Sequence, residues 1–129
     1  MQQVLLIGIG GFFGAIARFL TSKYTSGFLG NFPLGTLIVN VIGSFALGFI
    51  MYSVLNDSRL ISPEFRSFAA IGFIGAFTTM STFAYESFRF IDLRDMAMFG
   101  LNFGSNLILC LLAIYLGKVT ALLIGGIIK

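Results

Sequence analysis

The chain has 129 residues, of which 57% are hydrophobic and 10% charged, and a formal net charge of +3. So few charges exclude an ordinary water-facing domain, which carries about a quarter charged residues, and point to lipid as the outer solvent. The eight Lys and Arg are scattered between apolar runs with no basic patch for nucleic acid, and one cysteine, Cys110, with no histidine leaves no disulfide framework and almost no ligands for zinc, copper or haem.

The first apolar segment covers residues 4–20, with Arg18 as its only charge. A secretory signal is excluded because no basic region precedes the run and the rest of the chain is equally membrane-like. The second begins at Pro33, a residue suited to a first helical turn, and reaches residue 55 without a charge. Thr36, Asn40 and Ser44 recur at one-turn spacing, so they share a helical face. An amide at membrane depth needs partners, and either a neighbouring helix or a wet path would supply them.

A polar stretch with Asn56, Asp57, Ser58, Arg59, Pro63, Glu64 and Arg66 leads to the third segment, residues 65–83 or a turn further. Four hydroxyl residues, Thr78, Thr79, Ser81 and Thr82, cluster there after Gly72 and Gly75. They cannot all face one partner on a continuous helix, because consecutive positions turn by about 100°. The cluster predicts an interrupted helix whose freed backbone groups are met by ions, water or side chains, against the ordinary alternative of hydroxyls bonding back to their own turns. Phe83 follows immediately, and the positive edge of an aromatic ring suits a small anion.

The fourth segment covers residues 96–116, with an apolar tail beyond Lys118 that extends it, and carries a second polar stripe of Asn102, Ser105 and Asn106. Neither polar stripe contains an acid, a lining that favours an anion over a cation. The acids Asp57, Glu64, Glu86, Asp92 and Asp95 fall in or near the expected loops, away from any proton relay. Arg18 fits three roles by position: reaching to the headgroups, placing positive potential at the mouth of an anion path, or bonding its segment end to other helices.

Residues 1–129 therefore form a single transmembrane domain of four helices, all-α, with short loops and consecutive helices as antiparallel neighbours. Four crossings put Arg59, Arg66, Lys118 and Lys129 on one side of the membrane and Arg18, Lys23, Arg89 and Arg94 on the other. Orientation follows the Lys/Arg bias of short flanking loops, so four against four leaves insertion nearly undirected and permits a homodimer of opposed copies. Gly10, Gly11 and Gly14 in the first segment, and Gly43, Ser44 and Gly48 in the second, offer small faces for close helix contact.

Three stretches, GGFFGAIARF at residues 10–19, GTLIVNVIGSF at 35–45 and GFIGAFTTMSTF at 72–83, resemble the Fluc/CrcB fluoride channels over essentially the full chain. The resemblance implies an antiparallel, dual-topology homodimer in a bacterial inner membrane, with two passive fluoride pores and no enzymatic activity. It assigns Asn40, Thr36 and Phe83 to the pore and Arg18 to its vestibule. Along the fourth helix it implies a track through Ser105 or Asn106. The backbone carbonyls of Gly75 and Thr78, from both subunits, would hold a central structural sodium ion. Its partners are fluoride, the bilayer and a second copy, with no nucleic acid or soluble partner. The family motif usually has phenylalanine where this chain has Met80, which is similar in bulk and polarizable but lacks the ring edge. A proton-coupled fluoride transporter and a structural membrane subunit are the alternatives.

Overall fold

The structure, a computed structural model, describes residues 1–57 and 60–128, with side chains as far as Gly126. Ser58, Arg59 and Lys129 lie outside the described residues, so two of the eight charges counted for orientation have no placement here. Four spans are long and apolar enough to cross a bilayer: Gln2–Thr25, Leu34–Asn56, Pro63–Asp92 and Met96–Gly126. We name α1 (Gln2–Thr25), α2 (Leu34–Asn56), α3 (63–77), α4 (Met80–Asp92) and α5 (Met96–Ile128). The third span is thus two helices, α3 and α4, meeting at Thr78 and Thr79.

Each boundary has a local cause. Gly27 and Gly30 take left-handed φ of 85° and 60° in the turn between α1 and α2, where a Cβ would be strained. Ser62 caps α3 by accepting from the Phe65 N–H at 3.2 Å, with Pro63 in the first turn. Asp95 opens α5 by accepting from the Met98 N–H at 3.0 Å. Within α3, Ser67–Ile74 is wound as wider π-helical turns, a rare geometry concentrated at functional sites.

The expected segment ends were short in two places, while the tail beyond Lys118 extends the last helix as expected. Helix α1 continues to Thr25, the third span continues to Asp92, and α5 continues through Lys118. Charge ended each apolar run in the sequence before hydrogen bonding ended the helix. Lys118 interrupts nothing because its ammonium sits 5.1 Å from the centre of the Tyr52 ring on α2. With 33 residues, α5 is about 50 Å long, well beyond the roughly 30 Å of a hydrocarbon core.

The helices pair mainly across one span rather than along the chain. The broadest contacts join α2 to α5 and α1 to α3, so each intimate pair runs parallel, while the consecutive spans meet less extensively. Both seams are set by missing side chains. A Cβ at Gly10 or Gly14 would strike the Phe68 or Phe73 carbonyl oxygen of α3, and one at Gly117 would strike Phe45 of α2. Close backbone approach of this kind replaces the hydrophobic drive that lipid cannot supply. Between the seams lies a small core of Ile50, Ala69, Ala70 and Ile74.

Candidate functional site

The hydroxyl cluster does break its helix. Thr78 (φ −80°, ψ 157°) and Thr79 (φ −150°, ψ 112°) are extended, and α4 restarts at Met80. In an unbroken helix the Thr79 N–H would bond Gly75 and the Thr82 N–H would bond Thr78. Here Asn40 Oδ1 accepts from the Thr79 N–H at 2.8 Å, and Thr79 Oγ1 accepts from the Thr82 N–H at 3.2 Å. Side chains have taken the two donors, which releases the Gly75 and Thr78 carbonyls from their usual helical partners. Asn40 Nδ2 closes the arrangement by donating back to the Thr79 carbonyl at 3.2 Å.

A chain of amides runs outward from this junction. Asn40 Nδ2 also donates to Asn106 Oδ1 at 3.1 Å, and Asn106 Nδ2 donates to the Asn102 Oδ1 and carbonyl, each at 3.1 Å. Asn102 Nδ2 ends the chain by donating to Ser87 Oγ at 3.0 Å. Buried polar groups in a bilayer must be met in this way. Asn102 is completely buried, yet sequence reasoning left it out of the site although it stands one turn from Asn106. Ser105 is used locally, donating to the Asn102 carbonyl at 3.3 Å, and lines neither cavity described below.

Two cavities flank the hydroxyl cluster. A vestibule of about 470 Å³ lies under the turn between α1 and α2 and is bounded inward by Thr36, Thr82 and Glu86. A more apolar groove of about 370 Å³ is lined by Asn40, Met80, Phe83, Phe103, Asn106 and Cys110. Thr79 Oγ1 donates to Thr82 Oγ1 at 2.9 Å, so hydroxyls connect the two across one helical turn. The Phe83 ring is buried with its centroid 5.8 Å from that of Phe103. Met80, in contrast, is 72% exposed.

Glu86 requires a correction. The sequence set it near a loop and out of reach, but α4 carries it into the vestibule, where Thr36 Oγ1 donates to its Oε1 at 2.8 Å. Its Oε2 is buried without a hydrogen-bond partner among the described residues. The signal for this placement was present: Thr79, Thr82 and Glu86 recur at spacings of three and four, one helical face. Arg18 takes the third of its expected roles. It is half-buried and its Nη1 points to the Thr78 carbonyl at 3.5 Å, level with the break rather than with a loop.

Fold and site together define a compact four-span integral membrane protein with an interrupted third span and an uncharged amide network at the interruption. A family model described as "CrcB-like protein, Camphor Resistance (CrcB)" matches residues 5–118. The chain is 43% identical over 129 residues to "Fluoride-specific ion channel FluC 1" of Methanosarcina acetivorans, covering 100% of this chain and 98% of the relative. It is 48% identical over 122 residues to "Fluoride-specific ion channel FluC" of Methanococcus maripaludis (95% and 98% covered), and 45% identical over 116 residues to the protein so named in Campylobacter lari (88% and 93% covered). The chain belongs to the CrcB/FluC family. The relatives give no support to the bacterial part of the expected membrane, since archaeal proteins stand among these matches.

Proposed function

We propose that this chain is a passive, fluoride-selective channel, not an enzyme, that exports fluoride down its electrochemical gradient as an antiparallel homodimer with two pores. The observation that carries the reading is the neutral amide of Asn40 bound across the broken third span, where it lines one of the two cavities that flank the hydroxyl cluster. The relatives' names support the ion. Fluoride is small and strongly hydrated, so a route for it must replace water with closely spaced donors without binding too tightly for release. Thr36, Asn40 and Asn106 supply neutral polar groups, and Phe83 an aromatic rim. Met80 stands where the family has a second ring, and Ser105 is the least favoured member because its hydroxyl is engaged on its own helix.

A second copy is supported by the exposure of Met80, which lines the groove, and of Gly75 at the break. The carbonyls of Gly75 and Thr78, released from their helical partners, fit a hard cation such as sodium, as unwound backbone does in other membrane proteins, although the Thr78 carbonyl also faces the Arg18 guanidinium. Such an ion would supply positive charge to hold two broken spans together. The membrane is that of a prokaryotic cell, archaeal or bacterial.

Glu86 favours a second reading, proton-coupled transport, because an acid does reach the polar route. Purified protein in liposomes separates the readings. A channel releases fluoride, retains chloride and ignores an imposed pH gradient when the voltage is clamped. Uphill fluoride movement driven by that gradient, abolished by Glu86→Gln, would establish coupling. No flux at all would leave a structural subunit.

A further inference from the structure

The amide chain has a direction, and its direction has a consequence for the ion. A backbone N–H can only donate, so the Thr79 N–H forces Asn40 to present Oδ1 to it, which leaves Nδ2 for the Thr79 carbonyl and Asn106. Asn106 must then turn its Oδ1 to Asn40 and its Nδ2 to Asn102, and Asn102 must turn its Nδ2 to Ser87. The Ser87 hydroxyl accepts or donates equally well, so it imposes nothing at the far end. The orientation of all three amides follows from one N–H at the helix break rather than from an arbitrary choice of flips.

An asparagine amide has two hydrogens to give, and Asn40 has given both, to the Thr79 carbonyl and to Asn106 Oδ1. Asn106 has likewise given both of its hydrogens to Asn102. No amide hydrogen at the junction is idle, so an anion that reaches Asn40 must take one from a present acceptor. The bond to Thr79 is one half of a reciprocal pair that closes the break. The bond to Asn106 is single, and both of its partners line the groove.

We propose that the Asn40–Asn106 hydrogen bond is a resting latch that fluoride displaces, with Asn102 as the positioning residue that holds Asn106 in the latched orientation. This rests on the fluoride reading above. Asn106 Oδ1 is the negative end of a dipole and is repelled by the incoming ion, so it must swing aside. Its freedom to do so is set by the grip of Asn102, which is wholly enclosed and cannot follow.

The test is the fluoride dependence of efflux from liposomes containing the full-length protein. Asn106→Leu removes the competing acceptor, so the half-saturating fluoride concentration falls by about 2- to 10-fold, the net effect of one hydrogen bond. Asn102→Leu loosens the grip and moves it in the same direction by a smaller factor. An unchanged value in Asn106→Leu, or a rise, overturns the latch; a rise would make Asn106 a direct ligand. Side-chain amide resonances of the unsubstituted protein test the same point should the variants fail to assemble. Fluoride, and not chloride, shifts Asn40 and Asn106 together, and a shift at Asn40 alone overturns the proposal. Wild-type protein without fluoride flux overturns the fluoride reading and the latch with it, whereas conducting wild type with an unmoved Asn106→Leu overturns the latch only.

Discussion

The helix seams and the break in the third span lie side by side and are held by opposite means. Along the α1–α3 and α2–α5 seams, backbones meet because glycine has nothing to interpose. At the break the helix ladder is given up, and its donors are met by Asn40 and Thr79 side chains. The first region tolerates no added atom; the second tolerates no lost hydrogen bond. In lipid the two demands are of one kind, since neither water nor a hydrophobic drive between helices is there to compensate.

That contrast can be broken at single residues. The largest effect is expected at the seam: Gly10→Leu drives a side chain into the Phe68 carbonyl and should abolish assembly, while Gly8→Leu, with open space around it, should leave assembly intact. Recovery of monodisperse protein in detergent checks both, and equal recovery would show that the seam is not set by glycine. Next, Met80→Phe restores a ring at the groove and is expected to raise fluoride efflux by roughly 2- to 10-fold, the range given by ring-edge interactions of about 0.5–1.5 kcal/mol. Identical rates would remove any special role for that position. The smallest is the cap: Thr79→Ala leaves the Thr82 N–H without its acceptor and should lower unfolding stability by about 1 kcal/mol.

The sequence made the apolar spans plain, because a run of twenty apolar residues has few other uses. It also made the break plain, through hydroxyls crowded after two glycines. What it hid was depth and direction. Arg18 and Glu86 look like flanking charges on a hydropathy profile, yet one helix brings the first level with the break and another carries the second onto Thr36. Asn102 was visible as part of a stripe, but its burial depends on which helix packs over it, and Ser87 of α4 is brought against it only in the fold. The π-helical turns of Ser67–Ile74 left no sign beyond small residues, which also suit an ordinary helix.

The most direct measurement compares fluoride efflux from liposomes carrying the wild-type protein or Asn40→Asp. Aspartate has the same shape and can still accept from the Thr79 N–H, but it brings a carboxylate where the amide hydrogens were. If neutral donors at the break carry the ion, assembled Asn40→Asp should lose at least about a hundredfold in rate, the size of losing one pre-aligned donor in a water-poor site. Efflux equal to wild type in that variant would place the ion's path elsewhere.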